Sequence, residues 1–437
     1  MSAPGYESYR ESGIDWLGEI PSHWDVKPIK AVASYNDDVL TEATPPDHEI
    51  DYVEISDVQA GLGIRGSTTY AFRDAPSRAR RRVQDGDIIV STVRTYLRAI
   101  AAITAPAENT VVSTGFAVIR PRAIYSRFIG YALLAEQTIN QIIARSVGVS
   151  YPAINASDLV RIPVSVPPPA EQAAIAAFLD RETGKIDALV EAQTRLIELL
   201  KEKRQAVISH AVTKGLDPAA PMKDSGVEWL GQVPAHWEVV PTRSLISLRR
   251  QQVGERHAEF QLLSLTLRGV IVRDRESGHG KFPTEFNTYQ VVRPNDLVFC
   301  LFDMDETPRT VGISRHDGMI TGAYDVFASP DVHISEFVYW LYLGRDFKKA
   351  LRPFYTGLRK VIRKETFGSI PLALPPPDER QAIVAFLNET TRQLDELAAQ
   401  AEAAVTLLQE RRAALISAAV TGKIDVRGLA PQQAEAA

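Results

Sequence analysis

The chain has 437 residues, 45% of them hydrophobic and 24% charged, which fits an ordinary soluble globular protein of two or three domains. Its single cysteine, Cys300, excludes an internal disulfide and a Cys-based zinc cluster. A formal net charge of -5 argues against a simple basic nucleic-acid binder.

The first residues, Met1-Ser-Ala-Pro-Gly-Tyr-Glu-Ser, carry neither a basic stretch nor an apolar one, so no secretory signal is read there. No apolar run approaches the roughly 18 residues of a membrane span, and the expected location is the cytoplasm. The next segment is the first of two repeats. Ser12-Gly-Ile-Asp-Trp-Leu-Gly-Glu-Ile-Pro-Ser-His-Trp-Asp-Val26 returns as Ser225-Gly-Val-Glu-Trp-Leu-Gly-Gln-Val-Pro-Ala-His-Trp-Glu-Val239. The second repeat is Pro167-Pro-Pro-Ala-Glu-Gln-Ala-Ala-Ile-Ala-Ala-Phe-Leu-Asp180, which returns as Pro375-Pro-Pro-Asp-Glu-Arg-Gln-Ala-Ile-Val-Ala-Phe-Leu-Asn388. Between these blocks the two halves diverge almost completely. The chain therefore holds two copies of one module, with a fixed framework and an interior free to differ.

The divergent interiors read as mixed α/β. Strand-like runs include Asp51–Ile55, Gly86–Val90 and Thr110–Ile119 in the first half, with Asn295–Phe299 and Ile320–Phe327 in the second. Local charge departs from the average in two basic clusters, Arg78-Ala-Arg80-Arg81-Arg82 and Arg359-Lys360-Val-Ile-Arg363-Lys364. The prolines at 167–169 and 375–377 suit the start of a helix and not its interior. Each is followed by an Ala- and Leu-rich stretch, 171–213 and 379–421, long enough for a helix of about 60 Å. Gly184 lies inside the first and is expected to weaken or bend it. The apolar seam is read as Ile186, Leu189, Gln193, Leu196, Leu200, Lys203, Val207, and as Leu394, Leu397, Ala401, Ala404, Leu408, Arg411, Leu415. Steps of three and four are coiled-coil spacing, so the helices are expected to pair antiparallel.

Catalytic constellations are missing from the sequence. It has no Gly-x-Ser-x-Gly elbow and no His-Glu-x-x-His helix. Gly61-Leu-Gly-Ile-Arg-Gly66-Ser67 lacks the lysine of a phosphate loop and reads as a β-turn. Asp303-Met-Asp305-Glu306 reads as a solvated loop and not as a metal site. His23 and His236, each followed by a tryptophan, read as structural, and Trp16, Trp24, Trp229 and Trp237 as core anchors seating each globular part on its helix.

The duplicated Ser-Gly-x-x-Trp-Leu-Gly-x-x-Pro-x-His-Trp block, the Gly-Asp-Ile-Ile-Val strand, the Pro-Pro-Pro-x-Glu-Gln helix start and the Ala-Val-Thr-x-Gly helix end resemble the DNA-specificity subunit of type I restriction–modification enzymes. Two departures, Asn295 for Gly86 and Arg380 for Gln172, are mild. The resemblance covers nearly the whole chain. It implies an α/β (α+β) fold of two similar globular target-recognition domains, separated by two long helices in an antiparallel coiled coil, with a pseudo-two-fold internal repeat. The expected division is 1–166 and 216–374 for the recognition domains, 167–215 and 375–423 for the helices, and 424–437 for a flexible tail. It also implies a non-catalytic chain that binds double-stranded DNA and docks two methyltransferase (modification) subunits and restriction/translocase subunits. S-adenosylmethionine, ATP and magnesium are expected on those partners and no cofactor on this chain. A subunit serving a fused restriction–methylation enzyme that cuts outside its site, and a protein-interaction scaffold without DNA contact, are the alternatives.

Arginine suits both phosphates and base edges. The expected DNA contacts in the first domain are Arg78, Arg80, Arg81, Arg82, Arg94 and Arg98, with Ser150 and Tyr151 on a nearby loop. In the second they are Arg268, Arg273, Lys281, Arg359, Lys360, Arg363 and Lys364. Charge reversal across Arg80–Arg82 is predicted to weaken DNA binding and flatten its salt dependence; a titration with unchanged affinity and slope would overturn this.

Overall fold

The computed structural model describes residues 4–61, 63–228, 230–274 and 286–429, so Trp229 and Lys281 lie outside the described residues. The chain divides into two compact units: 1–193 with 403–437, and 194–402. Two long helices, Pro169–Lys214 (46 residues) and Pro377–Val420 (44 residues), each contribute one part to either unit.

Each unit is built on the same four-stranded sheet. In the first unit its strands are β1 (Ala33–Tyr35), β2 (Ile88–Ser91), β3 (Ile100–Ala102) and β4 (Phe116–Pro121), in the order β3-β2-β4-β1. In the second they are β5 (Ser247–Leu248), β6 (Leu297–Phe299), β7 (Val311–Ile313) and β8 (Asp325–Ala328), in the order β7-β6-β8-β5. The central strands β2 and β6 are buried along their whole length, which explains their unbroken apolar runs. The first unit adds a second four-stranded sheet in the order Thr68–Ala71, Glu49–Val53, Thr110–Ser113, Ala79–Arg82. The second unit has two-stranded pairs instead, Leu263–Thr266 with Gly269–Val272 and Gln290–Val292 with Gly318–Ile320.

Before β2 and β6 the chain makes a turn that needs a positive φ. Gly86 supplies it at 83° and Asn295 at 70°. Asn is among the side chains that tolerate the left-handed region best, so this departure between the repeats preserves the backbone. The next residue, Asp87 or Asp296, is buried. Asp87 accepts the Gln84 N–H and a two-pronged ion pair from Arg120, while Asp296 accepts the Arg293 N–H and a two-pronged pair from Arg249.

The Trp blocks sit at the start of the long helices. His23 Nε2 lies 2.6 Å from Glu171 Oε1, and the buried Trp24 Nε1–H donates to Glu171 Oε2 at 3.0 Å. His236 Nε2 lies 2.6 Å from Glu379 Oε2, and Trp237 donates to that oxygen at 3.1 Å. Trp24 and Trp237 are fully buried and Trp16 partly so. The neighbouring residue diverges with its partner. Gln172 accepts the Tyr125 N–H at the head of helix Ser126–Leu134, whereas Arg380 pairs with Asp331 at the head of helix Val332–Asp346.

The two long helices run antiparallel within each unit. Asp187 pairs with Arg412 in the first unit and Arg204 with Asp395 in the second, both at 2.8 Å. The four residues occupy equivalent repeat positions, so one ion pair is made twice. The buried seam differs from the expected one. Ile186, Leu200, Leu394 and Ala401 are buried, and Val207, Leu408 and Leu415 half-buried, but Leu189, Leu196 and Leu397 are exposed, as are Lys203 and Arg411. From Ile186 and Leu394 the seam steps by four and then three, through Val190, Gln193, Ile197 and Leu200, and through Ala398, Ala401, Val405 and Leu408. Both registers carry apolar residues, and the choice of leucine over valine, isoleucine and alanine selected the wrong one. Gly184 neither ends nor interrupts its helix. The start of the expected flexible tail is docked in the first unit: Asp425 N–H donates to the Pro4 carbonyl, Val426 is buried, and the Arg427 guanidinium lies 4.9 Å from the centre of the Tyr6 ring.

Removing a buried carboxylate leaves its guanidinium without a partner. Asp87→Ala and Asp296→Ala are each predicted to cost about 3–5 kcal/mol in denaturant unfolding, while Asp38→Ala costs under about 1 kcal/mol.

Candidate nucleic-acid interface

A pair of loops recurs in both units on the edge left by the central strand. The first follows β2 or β6 and opens with a left-handed residue, Arg94 (φ 50) or Asp303 (φ 46). Its carbonyl accepts a turn hydrogen bond, from Leu97 N–H or Glu306 N–H. The second loop is pinched at its neck by two reciprocal backbone hydrogen bonds, Val147 with Ala153 and Thr356 with Val361. A further bond ties it to the first loop, Ile154 N–H to Thr92 O and Ile362 N–H to Leu301 O, each 2.9 Å. A left-handed glycine turns the second loop just inside the neck, Gly148 (φ 117) or Gly357 (φ 70). The hydrogen bonds that hold the two loops recur in both copies.

The side chains on it differ. In the first unit the Arg94 guanidinium is exposed and stacks 4.8 Å from the centre of the exposed Tyr151 ring. Thr95 and Ser146 hydroxyls join the two loops at 2.7 Å. Arg98 is also left-handed (φ 54), but its guanidinium is held by both oxygens of Glu136 at 2.8 Å, so it braces the loop. Ser150 is exposed beside Tyr151. In the second unit the acidic loop faces the basic one. Asp303 pairs with Arg359 at 2.5 Å, Asp305 with Arg352 at 3.0 Å and Lys360 at 3.1 Å, and Glu306 with Lys360 at 2.8 Å. The basic cluster at 359–364 is thus largely neutralised by its own unit. Lys364 is paired with Asp325 at 2.7 Å, and Arg363 is exposed at the head of helix Lys364–Ser369. Arg359 retains an exposed guanidinium 5.1 Å from the centre of the Phe302 ring. Asp303-Met-Asp305-Glu306 therefore acts as a set of counter-charges.

The basic cluster at 78–82 runs into the edge strand Ala79–Arg82, whose register shifts at Arg80, and burial divides it. Ala79 is buried and Arg81 half-buried, with Nη1 lacking a hydrogen-bond partner and burial pulling its pKa down. Arg80 lies over the buried Phe72 ring at 4.7 Å and 3.5 Å from Glu42. Arg78 and Arg82 are the exposed members. The strand reaches the loop pair through backbone bonds, Thr114 N–H to Arg78 O and Thr92 N–H to Gly115 O. In the second unit Arg268 is exposed on the tight turn between Leu263–Thr266 and Gly269–Val272, and Arg273 is half-buried just after that hairpin. Sequence reasoning missed Tyr96, Leu97, Val149 and Leu358, all exposed on these loops. The available signal was a glycine followed by an aliphatic residue, repeated inside two otherwise unrelated stretches.

Among the described residues no group of three or more His, Cys, Asp or Glu side chains is placed to hold a metal ion, and no helix is long and apolar enough to cross a membrane.

Residues 21–199 match the profile of the family described as the type I restriction modification DNA specificity domain. The chain is similar to a putative type I restriction enzyme MjaX specificity subunit from Methanocaldococcus jannaschii, 25% identical over 234 residues, which are 51% of this chain and 53% of the relative. The match thus spans about half the length of that protein. Among solved structures, the chain resembles one from work on complex assembly and conformational transition of the type I R-M system. The TM-score is 0.68 at 20% identity, covering 92% of this chain and 98% of the other, and it establishes a shared fold. The HsdS subunit from Thermoanaerobacter tengcongensis aligns with a TM-score of 0.49 at 19% identity, over 92% of this chain and 98% of that one.

The ion pairs predict a titration. Arg359 beside Asp303 holds that carboxyl below its ordinary value, and Arg352, then Lys360, do the same for Asp305. Lowered carboxylate values mean the loop contacts are complete above the ordinary carboxylate range and are lost as pH falls through the depressed folded values. In Arg359→Ala, the Asp303 carboxyl resonance is expected to titrate nearer the ordinary 3.8 and Asp305 to move little, read by carbon-13 NMR.

Proposed function

We propose that the chain is the DNA-reading specificity subunit of a type I restriction–modification complex, each unit reading one half of a split, asymmetric duplex site. The observation that carries this reading is the duplicated loop pair. One backbone frame is built twice with the same hydrogen bonds, while its projecting side chains change from Arg94, Ser150 and Tyr151 to Asp303, Arg359 and Lys360. Reading two different half-sites with one approach geometry demands that combination. The family match over residues 21–199 supports it.

On this reading, residues 1–166 and 216–374 are the recognition domains, and the helices set the distance between the half-sites. Arg94, Ser150, Tyr151, Arg78 and Arg82 face DNA in the first domain, and Arg268, Arg359 and Arg363 in the second, where Lys360 is held by Asp305 and Glu306. Arg98, Arg81 and Lys364, held by Glu136, by burial and by Asp325, shape the surface. The chain works without catalysis of its own. Modification subunits bring S-adenosylmethionine and restriction subunits ATP and magnesium, in the cytoplasm. In the second unit the outward Leu196, Leu199 and Leu397 leave apolar side chains exposed on the long helices, which suits docking of the modification subunits.

Methylation mapping of the source genome, with and without this gene, tests the reading: one split adenine-methylated motif disappears on deletion. Arg94→Ala is predicted to weaken site binding of the assembled complex by about 1–3 kcal/mol and to relax selectivity in one half of the motif only. Equal loss on all sequences would make Arg94 a phosphate contact.

A further inference from the structure

Val149 and Leu358 are the most exposed large hydrophobic side chains among the described residues, at 102% and 103%, followed by Val147 at 81%. A single exposed aliphatic residue needs no explanation. These two, however, occupy the same place in the two units. Each follows the left-handed glycine of the second loop, Gly148 or Gly357, at the tip beyond the pinched neck. The loops share no other sequence, and the second is one residue shorter between its paired backbone positions. Two copies that have diverged almost everywhere else both hold an aliphatic side chain clear of the protein.

The support beneath each tip is stiff. Two hydrogen bonds close the neck and a third anchors it to the loop after the central strand. Cations stand beside the tip: Arg94 on the Tyr151 ring in one unit, and in the other Arg359 and Lys360 directly after Leu358, paired with Asp303 and with Asp305 and Glu306. An apolar point beside charged groups matches poorly to an apolar protein groove. It matches the stacked bases of a duplex, whose faces are apolar and whose rims are phosphates.

We infer that Val149 and Leu358 are wedges, each entering between two base pairs of its half-site and unstacking one step while the neighbouring cations hold the backbone. This rests on the reading that the chain binds duplex DNA. Opening a step costs least at pyrimidine–purine steps, so each half-site should carry one beneath its tip, chosen by deformability and not by hydrogen bonds.

The test uses the complex of the chain with its modification subunits, on the duplex defined by methylation mapping. 2-Aminopurine replaces, one at a time, the bases of both half-sites other than the methylated adenines, which the methyltransferase itself flips. Fluorescence should rise on binding at one step in each half-site. Val149→Ser should abolish the rise in the half-site read by the first unit and leave the other, and Leu358→Ser should do the reverse, each weakening binding about tenfold. Both positions are at exposed tips, and unchanged circular dichroism and melting verify the fold. Sequence-specific binding with no rise at any position, or a rise that survives both substitutions, overturns the wedge and leaves the DNA reader standing. A wild-type complex with no sequence preference overturns the DNA reading and the wedge with it.

Discussion

The seating of each globular part depends on one carboxylate at the head of its long helix, buried at Glu171 and half-buried at Glu379. Glu171 and Glu379 each accept an indole N–H and lie against an imidazole nitrogen from the Trp-rich block of the same unit. The carboxylate also sits in the first helical turn, where the helix field favours negative charge. Because the tryptophans are fully buried, the indole cannot swing to water, and the helix axis is fixed against its globular part. A loop tip can be aimed only if the body carrying it is held in this way. The most repeated stretch of sequence thus serves orientation, and in the proposed function the least repeated stretch serves recognition.

The second lesson is how the two copies diverged without losing their frame. Gly86 and Asn295 keep one turn. Gln172 and Arg380 reach the head of the same helix, one accepting a backbone N–H and the other pairing with a carboxylate. Asp187–Arg412 and Arg204–Asp395 repeat one contact along the paired helices. Selection on backbone geometry permits any chemistry that reproduces the geometry. Charge was free to change sign where nothing but the loop depends on it, at Arg94 and Asp303.

Much of this was legible in the chain itself. The double repeat fixes two copies of one module, the prolines fix the helix starts, and the apolar runs at 88–90 and 297–299 fix the central strands. The helix register was less legible, because two adjacent stripes are both apolar and only packing decides which is buried. The basic clusters misled more. A run of arginines shows charge but not its partners, and Asp303, Asp305 and Glu306, about fifty residues away in sequence, cancel the second cluster. In the first, Arg80 and Arg81 are half-buried and Arg82 is outside, a distinction that requires knowing how 79–82 packs as an edge strand. The paired loops were invisible as a unit because backbone hydrogen bonds leave no mark on residue type.

The buried aspartate before each central strand has a consequence for inheritance. Asp87 is neutralised by Arg120 on β4, whereas Asp296 is neutralised by Arg249 just after β5, the counterpart of β1. The positions are reciprocal. Asn36 stands where the second unit has Arg249, and Ala328 stands where the first has Arg120, as the matching backbone bonds Asn36 N–H to Val118 O and Arg249 N–H to Val326 O establish. A genetic crossover between these strands would therefore yield either a sheet with no guanidinium for its aspartate or one with two. An exchange that keeps each aspartate with its own arginine must carry the whole sheet as a block, so the ion pair limits where two such modules can be joined.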